Sequence, residues 1–113
     1  MVQTEKNQRK SKRFTCYTRV VVNNINGYIR NLSGKGFRMH SLATVGVGDG
    51  RTVSVRLIPE KELLIGEIAL ECRQQWHAFS GDFSYGFEIV RIPDENSAAN
   101  FKKLLGLYKD AKE

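Results

Sequence analysis

The sequence predicts a mainly β protein, a small antiparallel six-stranded β-barrel with a C-terminal α-helix. Two patterns predict this fold: closely spaced runs of β-branched and aromatic residues separated by short turns, and a single change to helical spacing after Pro93. Closing the sheet into a barrel removes exposed strand edges. The chain has 113 residues, 41% of them hydrophobic, and suffices for one domain with one core.

The first strands form a predicted hairpin. Its parts are a β-branched and aromatic strand, a turn-forming segment and a returning strand, at residues 14–22, 23–27 and 28–31. A turn centred near Asn24 and Ile25 brings Asn31 roughly opposite Thr18. We therefore expect the loop after Asn31 to return toward Arg13.

The rest of the chain continues this pattern and then changes period. Four more strands are predicted at residues 37–40, 52–58, 63–73 and 84–92. Turn chemistry separates them at residues 46–50, 59–62 and 81–82. Asp94 is a suitable helix N-cap, and Gly106 costs the following helix about 1 kcal/mol relative to Ala. Apolar residues recur there at helical spacing, at Ala98, Phe101, Leu104, Leu105 and Tyr108.

The formal net charge of +6 is concentrated at one end of the chain. Residues 1–13 hold five basic residues and one acidic residue, a balance of +4, which leaves +2 for residues 14–113. We expect a flexible basic segment over residues 1–13 and the barrel with its helix over residues 14–113. This distribution suits capture of a phosphate-bearing ligand better than a broad nucleic-acid surface. The simpler alternative is a solvated terminus.

Several classes of protein fit the sequence poorly. No apolar run approaches the roughly 20 residues of a membrane span, and the start lacks the apolar part of an export signal. Cys16 and Cys72 lie in strand-like runs, which favours buried thiols in a reducing cytosol. His40 and His77 lack metal-ligand neighbours, and no nucleophile stands out with a base and an acid. We therefore expect a cytoplasmic protein that is not an enzyme and holds no metal or cofactor.

Two short motifs carry the functional prediction. Arg9 and Arg13 form an RxxxR segment just before the first strand. Asn31, Ser33 and Gly36 form an NxSxxG segment at the end of the returning strand. Guanidinium groups are planar and permanently charged, while small polar side chains and glycine let a ligand approach closely. The two motifs together predict a pocket for a flat, polar, anionic ligand.

Other candidate segments are weaker. Residues 33–36 lack the spacing of a phosphate-binding loop, and residues 46–50 lack the third glycine of a dinucleotide fingerprint. Both segments are predicted to be turns. Trp76, with His77 and Phe79, is either a stacking surface for a ligand or packing at the rim of the barrel, and the latter is commoner.

The order and context of RxxxR and NxSxxG resemble the PilZ domain family. The likeness covers nearly the whole chain, since that family has a small β-barrel of this length with a helix at its end. Gly48 and Asp49 before a strand, and Tyr-Gly-Phe-Glu-Ile at residues 85–89, look like its weaker later motifs. Ile89 departs from the family, where an aromatic residue is commoner, and this departure concerns packing more than binding.

The resemblance implies that the ligand is cyclic di-GMP, which carries two guanines and two phosphodiester charges. It implies that Arg9 and Arg13 are clamps on a guanine or a phosphate. It also implies that Asn31 and Ser33 are polar contacts on the opposite wall, and that Gly36 is where the backbone nears the ligand. Asn is allowed in place of Asp at position 31, and it removes a charge that would repel phosphate.

The implied function is that of a bacterial receptor and adaptor in the cytoplasm. The N-terminal segment would order over the barrel mouth on binding, and the new surface would signal to a downstream protein in motility, biofilm formation or related behaviour. The ligand could bind singly or as a stacked pair. Two alternatives stay open: a small barrel that binds RNA or single-stranded DNA, which we favour less, and a PilZ-like module that binds only protein.

Overall fold

The computed structural model describes residues 18–111, with side-chain surroundings for residues 18–108. Its elements are β1 Arg19–Val22, β2 Ile25–Leu32, β3 Gly36–Ser41, β4 Thr52–Ile58, β5 Ile68–Ser80, β6 Asp82–Arg91 and α1 Glu95–Ala111. The predicted six-stranded barrel with a C-terminal helix is confirmed. The predicted basic segment, residues 1–13, lies outside the described residues.

The strands close into one barrel in the order β1, β2, β3, β6, β5, β4, and β4 pairs back to β1. All neighbouring strands are antiparallel. The β4–β5 pairing ends at Thr52 and Arg73, whereas β5 continues to Ser80 and stays paired with β6. The end of the β5–β6 hairpin therefore extends past β4.

The first hairpin turns one residue earlier than predicted. Val22 pairs with Ile25, so the turn residues are Asn23 and Asn24, with φ values of 51° and 64°. Asparagine tolerates this left-handed geometry, which both central residues of a two-residue hairpin turn require. The early turn shifts the register by two residues. The expected pairing of Asn31 with Thr18 is therefore wrong: the Thr18 carbonyl accepts a hydrogen bond of 3.1 Å from the N–H of Ile29.

The fifth strand also differs from the prediction. The predicted strand at residues 63–73 begins too early, because Lys61–Leu63 form a single 3₁₀ turn that ends at Leu64 in a left-handed conformation. The strand then runs on to Ser80, since β6 gives it a partner beyond the end of β4. Trp76 consequently lies within a strand rather than after one.

The barrel interior is apolar, and α1 covers part of it. The largest fully buried apolar side chains are Met39, Leu57, Ile68, Leu70 and Leu104. Cys72 is buried among the core residues as predicted, and burial raises the pKa of its thiol to about 12. Cys72 therefore remains a neutral packing residue at physiological pH, while Cys16 lies outside the described residues.

Helix α1 begins with the predicted cap. Oδ1 of Asp94 accepts a 2.7 Å hydrogen bond from the N–H of Ser97, which satisfies one of the free donors of the first turn. Phe101 and Leu104 are buried, as the helical spacing predicts. No helix within residues 18–111 is long and apolar enough to cross a membrane.

Polar residues replace one predicted apolar contact of α1. Ala98 is exposed, although the spacing predicts it on the buried stripe. Ser97 and Asn100 are buried in its place. Oγ of Ser97 accepts a 2.9 Å hydrogen bond from the N–H of Ala69, and Nδ2 of Asn100 donates to a barrel carbonyl. Hydrogen bonds to the barrel backbone thus fix the start of the helix, and apolar packing holds the rest.

Candidate functional site

A shallow groove of about 470 Å³ lies on the barrel surface where β2, β3, β6 and β5 run side by side. Residues from the segments 31–38, 75–76 and 86–88 line it. All residues of the NxSxxG segment line the groove except Leu32 and Gly34. The groove is thus built by two hairpins that are far apart in the sequence and adjacent in the barrel.

A β-bulge in β2 forms one side of the groove. Ile29 pairs with Met39, but the next pair joins Asn31 to Arg38, so Arg30 is an extra residue. Ordinary alternation would send Arg30 and Asn31 to opposite faces, yet both are exposed. The bulge therefore turns Asn31 outward to face Arg38. Bulges commonly redirect side chains beside functional sites.

A second bulge in β5 forms the other side. Gln74 pairs with Phe87 and Trp76 pairs with Gly86, which leaves Gln75 as the extra residue. Gln74 is buried, while Gln75 and Trp76 both face outward. Of the side chains that the two bulges turn outward, Asn31 lines one flank of the groove and Gln75 and Trp76 line the other.

The loop that contains Asp49 anchors the second bulge. Oδ1 of Asp49 accepts a 2.7 Å hydrogen bond from Nε2 of the buried Gln74 and lies 2.9 Å from Nδ1 of His77. These hydrogen bonds, with His77 the larger cause, hold the pKa of Asp49 below its usual value. Asp49, which belongs to one of the weaker motifs, therefore fixes the strand on either side of Trp76.

The indole of Trp76 lies against Gly86 of β6, where residue 86 has no side chain. A Cβ built at Gly86 would overlap Nε1, Cε2 and Cδ1 of the indole. Trp76 is 39% exposed, so part of its ring remains open to the groove. The guanidinium carbon of Arg38 lies 5.7 Å from the ring centroid, in cation–π range. The indole thus lies between the backbone of Gly86 and the guanidinium of Arg38, which is placed over the ring.

The NxSxxG loop is a hydrogen-bonded turn. The N–H of Ser33 donates to the carbonyl of Gly36 at 2.9 Å, and Oγ of Ser33 accepts from the N–H of Lys35 at 3.3 Å. A Cβ at Gly36 would overlap the carbonyl oxygen of Phe87. Glycine is therefore required here by the close pairing of β3 with β6, whatever its part in ligand binding.

Two cations and one carboxylate line the groove: Lys35, Arg38 and Glu88. Oε1 of Glu88 accepts hydrogen bonds from Arg73 at 3.3 Å and Gln75 at 3.0 Å. Among the described residues, neither Lys35 nor Arg38 has a carboxylate partner within ion-pair distance. The free charge of the groove is consequently positive, which favours an anionic ligand.

The predicted site is brought together in part. Asn31, Ser33 and Gly36 all line the groove. Arg9 and Arg13 lie outside the described residues, so their expected approach to this loop stays a prediction. The sequence leaves Trp76 as either a stacking surface or rim packing, and it gives no sign of a role for Arg38. The Arg-Gly-Trp arrangement depends on bulges and strand order, and neither leaves a clear mark in the sequence.

A second polar cluster lies outside the groove. Nδ1 of His40 is 3.0 Å from Oδ2 of Asp82, and Nε2 of His40 is 3.4 Å from Oγ of Ser84. The order of groups is that of a nucleophile, a base and an acid, which the sequence did not reveal. Ser84 sits within β6, which is paired with β3 on one side and β5 on the other.

Metal binding finds no support in the described part of the chain. No group of three or more His, Cys, Asp or Glu side chains there could hold a metal ion.

Comparisons with protein-family models, with curated proteins and with solved structures find no match to this chain. The functional assignment rests on the groove, its side chains and their charges.

Proposed function

We propose that this chain is a receptor for cyclic di-GMP that binds the dinucleotide between the RxxxR segment and the groove. The observation that carries the proposal is the groove itself, where an indole, a free guanidinium and the polar Asn31–Ser33 edge face one space. A planar purine can stack on Trp76. The polar edge can meet base or phosphate atoms.

The charge of the site supports an anionic ligand. Lys35 and Arg38 outnumber Glu88, whose carboxylate is already engaged by Arg73 and Gln75. Arg9 and Arg13 add two further cations on the chain just before β1. Two phosphodiester groups would therefore meet an excess of positive charge.

The proposed role is binding and relay rather than catalysis. Ligand bound at the groove would join the N-terminal segment to the barrel and create a surface for a downstream protein in the bacterial cytoplasm. The resemblance to the PilZ family supports this role, and so do the indole and the cations that line the groove beside the NxSxxG residues. The exposed Trp76 beside Arg38 also suits a single-stranded nucleic acid, and we keep that function as the second candidate.

Calorimetric titration with cyclic di-GMP tests the proposal. We expect saturable binding by the full chain, and a loss of at least about 2 kcal/mol in Arg9→Ala or Arg13→Ala, since each variant removes a charged, bidentate contact. Asn31→Ala removes a polar contact and is expected to weaken binding by about 1 kcal/mol. Thermal unfolding of each variant checks that the fold persists.

Arg56→Ala is the matched control, because it removes one positive charge from β4, where Arg56 pairs with Glu67 away from the groove. It is expected to bind cyclic di-GMP nearly as the parent does. Absence of any binding heat when cyclic di-GMP is titrated into the parent chain would refute the proposal. Steep salt dependence with oligonucleotides, together with indifference to cyclic di-GMP, would favour the nucleic-acid candidate instead.

A further inference from the structure

Among the described residues, Arg38 is a cation of the groove without a carboxylate partner. Its side chain is exposed, and its guanidinium carbon lies over the ring of Trp76, 5.7 Å from the centroid. Glu88 lines the same groove, but Arg73 and Gln75 occupy its carboxylate. Among the described residues, Arg38 thus keeps its hydrogen-bond donors available.

Strand order explains why Arg38 and Trp76 meet. Arg38 pairs with Gly86 across β3 and β6, and Gly86 pairs with Trp76 across β6 and β5. The two side chains lie on either side of a residue that has none, and a Cβ at Gly86 would displace the indole. The sheet therefore presents a planar ring with a planar cation over it, and a base that stacks on this face takes the place of the guanidinium.

The chemistry of this pair fits guanine. A base that stacks on Trp76 would bring its edge within reach of the neighbouring guanidinium. Guanine offers two acceptors on one edge, O6 and N7, which match the donor fork of arginine. A bidentate pair of this kind is stronger than an exposed cation–π contact, so Arg38 gains by turning from the ring to the base.

We propose that Arg38 is a specificity-determining residue that reads the O6 and N7 atoms of a guanine stacked on Trp76. The inference rests on the proposed cyclic di-GMP function and adds to it a residue outside the RxxxR and NxSxxG motifs. In the free protein the guanidinium lies against the indole. In the complex it donates two hydrogen bonds to the base.

The test compares cyclic di-GMP with its 7-deazaguanine analogue, which has the same charge and shape but lacks the N7 acceptor. The parent chain, Arg38→Ala and Arg30→Ala are each titrated with both ligands, following emission of Trp76, the single tryptophan. Arg30→Ala is the matched control, since it removes the same charge from the bulge beside Arg38 but does not line the groove. Both arginines are exposed, so neither change disturbs the core.

We expect the parent to bind the analogue at least about fivefold more weakly than cyclic di-GMP, because a charged hydrogen bond is lost. Arg38→Ala should bind cyclic di-GMP at least about tenfold more weakly than the parent and no longer distinguish the two ligands. Arg30→Ala should keep the parent's preference.

An unchanged preference in Arg38→Ala would overturn the inference, even if its affinity fell, because Arg38 would then act on a phosphate or on the fold. Equal loss of preference in Arg30→Ala would overturn it as well. Absence of cyclic di-GMP binding by the parent would instead refute the proposed function and the inference with it. The two failures are therefore distinguishable.

Discussion

Two glycines make the groove possible, each by lacking a side chain. At position 36 a Cβ would overlap the backbone of Phe87, and at position 86 it would overlap the indole of Trp76. The first conflict is with backbone, which cannot yield without separating β3 from β6. The second is with a side chain, which can rotate away. Substitutions at the two positions should therefore have different effects.

Gly86→Ala is expected to displace Trp76 without unfolding the barrel. The indole must leave its place over β6, which removes the stacking surface and its contact with Arg38. We expect binding of cyclic di-GMP to weaken by about 1–3 kcal/mol, the range for loss of one base–aromatic contact. Calorimetry measures the affinity, and acrylamide quenching of Trp76 emission reports the greater exposure of the ring.

The control for this variant is Gly106→Ala, which adds the same methyl group on α1, where a Cβ meets no atom within 4 Å. Its quenching and affinity should match those of the parent. Unaltered quenching and affinity in Gly86→Ala would contradict the described position of the indole.

At the residue scale, part of the candidate site can be predicted from the sequence. A short motif singles out Asn31, Ser33 and Gly36, which line the groove, and their part in ligand binding stays a prediction. The contact between Arg38 and Trp76 cannot be predicted from the sequence, because the two residues become neighbours only through Gly86 on a third strand. Local patterns predict loops well and say little about contacts that cross a sheet.

At the scale of single elements, the bulges matter most. A regular β2 would point Arg30 and Asn31 to opposite faces, and a regular β5 would do the same to Gln75 and Trp76. Each bulge instead exposes both members of its pair. The buried Gln74, held by Asp49, fixes where the second bulge occurs. The groove is therefore a product of strand irregularity rather than of a loop alone.

Helix α1 gives a direct test of element stability. Gly106 lies inside the helix, where glycine costs about 1 kcal/mol relative to alanine, and an added Cβ meets no neighbour. We expect Gly106→Ala to raise the free energy of unfolding by about 1 kcal/mol, as measured by urea denaturation. A decrease would mean that the end of α1 packs more tightly than the structure describes.

Element types were more predictable than element limits. The six strands, the helix and the Asp94 cap follow from periodicity and turn chemistry, and β4 begins and ends as predicted. The end of β5 cannot be predicted from periodicity and turn chemistry, because pairing with β6 continues the strand beyond the end of β4. The prediction places the first turn one residue too late. Asn23 and Asn24 both adopt left-handed geometry, and composition alone does not show which two residues of this segment form the turn.

For the whole molecule, charge is distributed as unevenly in space as in sequence. Three arginines on the β4–β5–β6 side pair with glutamates, namely Arg56, Arg73 and Arg91. Three arginines on β1, β2 and β3 have no carboxylate partner among the described residues, namely Arg19, Arg30 and Arg38. Among the described residues, Arg51 before β4 also lacks a carboxylate partner. The other unpaired arginines lie on β1–β3, and β2 and β3 border the groove. An anionic ligand would be drawn to that side.

The closed barrel gives this surface a rigid base. Its core is continuous, and every strand has neighbours on both sides, so the groove is carried by ordered backbone. Tyr108 near the end of α1 donates a 3.2 Å hydrogen bond to Thr18, the first described residue, which ties the helix to the start of β1. We therefore expect an anionic ligand to bind between this fixed barrel groove and the cations in the sequence before Thr18.

The most direct test of this account is a titration of the ¹⁵N-labelled full chain with cyclic di-GMP, followed by amide NMR. We expect saturable chemical-shift changes at the amides of Asn31, Ser33 and Gly86 and at the indole N–H of Trp76. The amides of β4 should be almost unaffected. Saturation also gives the stoichiometry. No shifts with ligand up to about 0.1 mM, where even weak specific binding would register, or shifts confined to β4, would contradict it.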